Sequence, residues 1–460
     1  MKNQLAFAAL AAAFAIPSAA SAADDKDLAA IRAEVAQLKQ DYENRLSALE
    51  RRLQEAEAAT IEAQNAARVA QQAAAPAAPA APVAPPAPVA SSPTAGNVFN
   101  PDISLVLGGT LSNLSQDPDS WAIAGFVPAG DEVGPGKRGF SLGESELTMS
   151  ANIDPNFSGR LTFALTDEGT AEVEEAYVQT RARGAGATAR AGRFLSAVGY
   201  QNGQHAHTWD FVDAPLAYQA FLGGQYKVDG LQAKWLAPTD TFLELGAELG
   251  AGDSFPGGGR NKNGFGASAL FAHAGGDIGD SASWRAGVAH LRARPEGRTF
   301  EEEGGEAAFT GRSALWIADA VYKWAPGGNP VERNFKLQGE YFQRKESGDL
   351  SLADASGAYS SKQSGWYVQG VYQFMRGWRA GLRHDRLDSG VPTIGAGAEL
   401  FPSLAAYKPQ RSSVMVDYSP SEFSRLRLQF AQDKARNGAT DNQLFLQYVM
   451  SLGAHAAHAF

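Results

Sequence analysis

The chain has 460 residues and no cysteine, with 44% hydrophobic residues, 20% charged residues, 49 glycines, 23 prolines and a net charge of −10. Without thiols it is neither a disulfide-stapled scaffold nor an iron–sulfur or thiolate–zinc protein, and its acidic balance argues against a general nucleic-acid surface. The one long apolar run, about a dozen residues at the N-terminus, is too short to cross a bilayer as a helix.

Met1-Lys2-Asn3 is a positively charged start, Leu5 to Ile16 is apolar and stops at Pro17, and Ala20-Ser21-Ala22 offers a small-residue cleavage site. Residues 1–22 therefore read as a secretory signal peptide. Export without cysteine is compatible with a periplasmic or outer-membrane address. From 24 to 72 the composition turns to Ala, Glu, Gln, Lys and Arg. Leu28, Ile31, Val35, Leu38, Tyr42, Leu46, Leu49, Leu53 and Ala56 recur there at spacings of three and four. This is a heptad seam with one stutter near Tyr42, and it predicts a self-associating periplasmic coiled coil. Residues 73–99 form an Ala/Pro-rich linker, with prolines from Pro76 to Pro93. Proline cannot continue a helix and favours polyproline II, so the tract is a semi-rigid spacer of roughly 60 Å.

From 100 to 460 the period changes to two. Leu426, Leu428 and Phe430 alternate with Arg425, Arg427 and Gln429; Leu243, Leu245 and Ala247 with Glu244 and Glu248; Phe335, Leu337 and Tyr341 with Lys336, Gln338 and Glu340. One face is apolar and the other carries charges and amides. Short turns flanked by aromatics, as in Ile153-Asp154-Pro155-Asn156-Phe157 and Tyr418-Ser419-Pro420-Ser421-Glu422-Phe423, alternate with longer polar connections, including 195–225, 293–311 and 345–363. The fold class is all-β: a transmembrane antiparallel β-barrel of about 16 strands, within a range of about 14–18, preceded by the coiled coil and linker. About sixteen strands leave an aqueous lumen.

In such a barrel the polar face lines water, so the alternation names lumen residues. The second strand offers Glu144 and Glu146, the fourth Glu174 or Glu175 depending on register, and the seventh Glu244 and Glu248. The thirteenth offers Arg379 and Arg383 with Asp385, and the fifteenth Arg425 and Arg427. Acid in one half and base in the other either sets a transverse field across the pore or is spent on neighbouring pairs. The connection 195–225 is the constriction candidate, because His205, His207, Trp209, Asp210, Asp213 and Tyr218 give it the means to fold inward and pack. With Asp210 or Asp213, His205 and His207 could take a transition metal such as zinc, and His455 and His458 form a second pair. Two ligands do not make a site, so the expectation is a chain without a cofactor. No HExxH helix or P-loop occurs, and an enzyme is not expected.

The signal peptide, heptad helix, Pro/Ala spacer, alternating hairpins and terminal Phe460 together resemble the Gram-negative outer-membrane porins with an N-terminal coiled coil, of the phosphate-selective (O/P-like) and DcaP-like kinds. The resemblance implies a homotrimeric passive channel for small hydrophilic solutes or ions, anion-preferring if the arginine strands dominate. It also implies lipid and lipopolysaccharide contacts, insertion by the barrel-assembly machinery, and a coiled coil placed to contact peptidoglycan. Similar chains are sometimes labelled TonB-dependent receptors. A receptor for a metal or chelate, which needs about 22 strands and a plug, and an envelope tether are therefore the alternatives.

Overall fold

The computed structural model describes residues 101–129, 133–143, 145–165, 170–180 and 186–453. The expected signal peptide, coiled coil and linker, together with Glu144, His455 and His458, lie outside these residues.

Sixteen antiparallel strands close into a barrel. In chain order they are β1 (Asp102–Leu114), β2 (Gly139–Ser141 and Ser145–Asn152), β3 (Phe157–Leu165), β4 (Ala171–Thr180), β5 (Ala187–Leu195), β6 (Lys227–Leu236), β7 (Phe242–Gly250) and β8 (Ala267–Ile278). They continue with β9 (Ala282–Ala293 and Glu296–Glu302), β10 (Gly305–Trp324), β11 (Asn334–Leu352), β12 (Ala355–Met375), β13 (Trp378–Asp388), β14 (Gln410–Ser421), β15 (Ser424–Lys434) and β16 (Asp441–Gly453). Strand β16 pairs back on β1 from Ser104↔Gly453 to Leu114↔Gln443, so the sheet has no first or last edge, which is how a barrel satisfies its backbone in lipid.

The period-two pattern decides which way the wall faces. On β15, Leu426, Leu428 and Phe430 are 47%, 51% and 43% exposed, whereas Arg425, Arg427 and Gln429 are buried inside. Leu444, Leu446, Met450 and Leu452 on β16 and Val414, Val416 and Tyr418 on β14 continue the outward apolar face. A continuous belt of this kind is stable against hydrocarbon and not against water. Aromatics gather where the short turns leave the wall, and Trp378 stacks on Tyr418 at 4.7 Å, as interfacial girdles do.

Two connections differ from expectation. The segments 293–311 and 345–363, read as loops, are mostly strand. Strands β10, β11 and β12 run 20, 19 and 21 residues, about twice what a tilted membrane strand needs. Above the belt their outer positions turn polar, with Lys345, Asp349 and Lys362 exposed. Their inner positions build a small apolar core in which Phe309, Leu350 and Tyr359 meet Phe401 and Leu404 of the β13–β14 loop. That loop also pairs with the rising edge of β12, through Gly395 N–H to Ala358 O at 2.8 Å. On the other side, Glu296 N–H of β9 donates to Gly258 O of the β7–β8 loop at 3.0 Å. The edges that protrude are thereby covered.

The candidate functional site: a loop across the lumen

The third long loop, 196–226 (L3), enters the barrel and packs across it. Its neck is fixed first. Asn202 Nδ2 donates to Ser196 O and Tyr226 O at 2.8 and 2.9 Å, and its Oδ1 accepts from Tyr226 N–H at 2.7 Å, tying the two ends together. Glu248 of β7 accepts from Ser196 Oγ and Ala197 N–H at 2.5 and 2.9 Å. Glu340 of β11 accepts from Tyr200 N–H, Gln201 N–H, Tyr218 Oη and Tyr367 Oη at 2.6–3.1 Å. The backbone reaches Glu340 this closely because residue 199 is a glycine at φ +76; a Cβ there would lie 2.5 Å from both Glu340 Oε2 and Tyr218 Oη.

Beyond the neck, charge order lays the loop out. His205 and His207 come first and turn to the acidic wall. His205 Nδ1 lies 3.1 Å from Glu146 Oε2 and 3.0 Å from Glu174 Oε2, its Nε2 lies 3.2 Å from Glu175 Oε2, and His207 Nδ1 lies 2.8 Å from Glu146 Oε1. Burial opposes a charged His205, but its N–H groups donate to the carboxylates of Glu146, Glu174 and Glu175, which hold its pKa well above the ordinary imidazole value. Asp210 and Asp213 follow and turn to the basic wall. Asp210 pairs with Lys336 of β11 and with Arg379 Nη1 at 3.1 Å. Asp213 meets Arg383 at 2.8 Å, Arg411 at 2.7 Å and Gln429 Nε2 at 2.8 Å. Burial alone would raise both carboxyls. Lys336 and Arg379 overcome it at Asp210, and Arg383 and Arg411 bring Asp213 to about 2. A loop reading base–base–acid–acid thus spans a lumen that is acidic on one side and basic on the other.

The loop closes with a helix, α1 (Leu216–Leu222), every residue of which is buried. Its sequence is apolar nearly all round, as a fully packed helix requires. Leu216 N–H donates to Asp385 Oδ1 at 2.9 Å, and Arg344 Nη1 donates to Ala220 O at 3.2 Å. Phe221 stacks on Phe342 at 5.7 Å and meets Phe126 edge-on at 5.5 Å. Gly223 at φ +66 ends the helix in the left-handed conformation.

These placements revise the sequence reading in four respects. Arg383, Arg425 and Arg427 do not line open water. They are 1–2% exposed beneath L3, and Arg427 Nη2 donates to Trp209 O at 2.7 Å. Arg379 keeps a side-chain exposure of 15%. Both Glu174 and Glu175 face inward, because a bulge at Thr162/Phe163 leaves Glu174 without a partner on β3. Glu146 is buried against the imidazoles and Glu248 at the loop neck, whereas Glu244 pairs with Lys234 at 2.8 Å and with His273 at 3.1 Å. Finally, the loop histidines do not gather with Asp210 or Asp213, which turn to the opposite wall. Glu340, Lys336 and Arg411 carry much of the docking, and Asp417 braces Arg379 and Arg427 behind it, without having been named as site residues; Lys336 and Glu340 were visible as the polar partners in the β11 alternation.

Space remains on the acidic side. A cavity of about 310 Å³ lies between L3 and the β1–β2–β16 wall, lined among others by Thr110, Ser141, Glu174, Ala206 and Gln225. A second, of about 250 Å³, is lined by Ser150, Asn152, Arg160, Tyr177 and Gln179 at the other ends of β2–β4. The glutamate–histidine cluster stands between them.

Over 401 residues the chain is 31% identical to an uncharacterized protein of Aquifex aeolicus (strain VF5), a match covering 80% of this chain and 82% of that one. The chain belongs to the family of that Aquifex protein. No family model matches it. Among solved structures it is similar to a loop L8 deletion mutant of OmpT, an outer membrane protein of Vibrio cholerae, with TM-score 0.50 and 12% identity over 77% of this chain and all of that one (100%). The outer membrane channel DcaP of Acinetobacter baumannii superposes with TM-score 0.46 and 14% identity over 77% of this chain and 97% of that one. The fold of this family member is that of the outer-membrane porins.

Proposed function

We propose that this family member is a passive outer-membrane channel for small hydrophilic solutes, narrowed by L3 and preferring cations. The observation that carries the reading is the position of the remaining space. Both cavities are lined by wall residues of β1, β2 and β4, and the cluster between them presents Glu146, Glu174 and Glu175 against His205 and His207. The anion preference expected from the arginine strands relies on guanidiniums that L3 covers and Asp210, Asp213 and Asp417 neutralise. Selectivity in a pore follows the charges at its narrowest wetted point; Glu174 and Asp213 line the cavity of about 310 Å³ with Lys227, and none of Arg379, Arg383, Arg425 and Arg427 does, which supports carboxylates as its source. Sixteen strands with a lumen filled by the barrel's own loop support a channel over a plugged receptor of about 22 strands, and over an enzyme. A homotrimer in contact with lipopolysaccharide is part of the same proposal; an OmpT of Vibrio cholerae among the similar structures is a trimer form.

The test is a planar bilayer under a KCl gradient. Stepwise conductance with a reversal potential on the cation side, moving toward zero in Glu174→Gln, is expected. Anion preference insensitive to Glu174→Gln would overturn the selectivity, and the absence of any conductance would overturn the channel.

A further inference from the structure

The cluster on the acidic wall has more acceptors than its imidazoles have protons to share. His205 Nδ1 carries at most one proton, yet two carboxylate oxygens, Glu146 Oε2 and Glu174 Oε2, lie 3.1 and 3.0 Å from it. One N–H can align well with only one of them and is at best shared, more weakly, between the two. Among the described residues the guanidinium beside the cluster is that of Arg160, which approaches Glu175 at 3.6 Å and is itself 35% exposed. One ligand atom each from Glu146, Glu174 and His205 lies within 4.8 Å of the other two, and all three residues are buried.

These separations have a second meaning. Ligands held about 2.1 Å from a first-row metal ion lie about 3.0–3.4 Å from one another, and the nitrogen-to-oxygen distances here fall in or beside that range. The surroundings also match a metal centre. The far ring nitrogen of His205 faces Glu175 at 3.2 Å, the carboxylate–histidine arrangement that orients a ligating imidazole. The second oxygen of Glu146 is engaged by His207 Nδ1 at 2.8 Å, which leaves Oε2 for the ion. Glu174 lines the cavity of about 310 Å³, so ions and completing waters have an approach.

We infer that Glu146 Oε2, Glu174 Oε2 and His205 Nδ1 form a binding site for a first-row divalent cation of the Zn²⁺ type. Binding replaces the Nδ1 proton, which leaves to solvent, and places a doubly charged ion where a single N–H now stands between the two carboxylates. An imidazole with two carboxylates selects such ions over Ca²⁺ and Mg²⁺, which prefer all-oxygen shells. The site stands on ligand geometry alone and holds whether or not the barrel conducts.

The test is calorimetric titration of ZnCl₂ into the full chain in detergent, with CaCl₂ as comparison. Zinc is expected to bind and calcium is not. His205→Ala and Glu174→Gln each weaken zinc by at least about tenfold. Glu175→Gln, which keeps all three ligands, weakens it by about 10–100-fold through the ring's orientation. Asp229→Asn, which breaks the exposed pair with Arg193, leaves it unchanged. Zinc K-edge absorption on the unaltered protein gives an answer independent of how variants fold: one imidazole with oxygen ligands is expected. A shell of two or more imidazoles, or zinc affinity unchanged in both His205→Ala and Glu174→Gln, would overturn the assignment.

Discussion

Asp213 holds the far end of L3 to the basic wall, and Asp213→Asn tests whether charge keeps the loop in the lumen. The substitution retains size and one acceptor but removes the charge facing Arg383 at 2.8 Å and Arg411 at 2.7 Å. Removing one partner of a buried ion pair costs about 3–5 kcal/mol. The low end applies, because Arg383 keeps Asp385 at 3.1 Å and Arg411 keeps Asp433 at 3.8 Å. About 3 kcal/mol is about a hundredfold rise in the loop's opening equilibrium, at about 1.4 kcal/mol per decade. Hydrogen exchange followed by mass spectrometry on the peptide carrying 205–222 reads that equilibrium directly, and bilayer recordings read its consequence as brief high-conductance excursions. Exchange within about twofold of the unaltered protein, with quiet single-channel traces, would show that apolar packing of α1 alone holds the loop.

The same carboxylate predicts a pH dependence. Its folded pKa of about 2 lies below the ordinary value of about 3.9, so its contribution is present above about pH 4 and is lost as pH falls toward 2. L3 exchange, corrected for intrinsic rates, should rise as pH falls below about 4, and this rise should be smaller in Asp213→Asn; an acid rise of equal size in the variant would contradict the assignment. Gly199→Ala places a Cβ 2.5 Å from Glu340 and Tyr218 at φ +76, costing about 1–2 kcal/mol for the left-handed backbone before any clash, and should speed exchange at Tyr200 and Gln201; unchanged protection there would mean that Glu340 is not the anchor. Leu428→Arg puts a charge on the outward face at a position 51% exposed. It should lower the folding free energy into lipid vesicles by about 2–4 kcal/mol, measured by urea titration, and a neutral result would remove Leu428 from the membrane belt.

Much of the wall was legible because lipid on one side and water or loop on the other impose a strict alternation, and β7, β15 and the first half of β11 carry it. The pattern failed where that asymmetry ends. Above the belt, β9–β12 have polar residues outside and a mixture such as Phe342, Arg344 and Glu346 inside, so their alternation no longer reads as apolar against polar. The inward path of L3 was legible from its aromatics, but its partners were not. Pairing of Asp210 with Lys336, or of Glu340 with Tyr218, joins residues more than a hundred positions apart, and no local spacing reports it. The ambiguity between Glu174 and Glu175 had a physical origin as well. A bulge breaks the period at that point, so either single-register answer would have been incomplete.

The unequal strand lengths shape the mouth of the barrel. Strands β3, β4 and β5 have 9, 10 and 9 residues, whereas β10 to β12, on the opposite arc, have 19 to 21. At about 3.4 Å per residue the longer arc exceeds the shorter by roughly 35 Å of strand. The orifice is therefore bevelled, like a quill cut on the slant. Its high lip is hydrogen-bonded sheet with covered edges, hard for a protease to enter, and its low lip opens over the acidic wall. On the channel reading proposed above, a solute arriving from outside would meet the tall side and enter over the short one, above the glutamates.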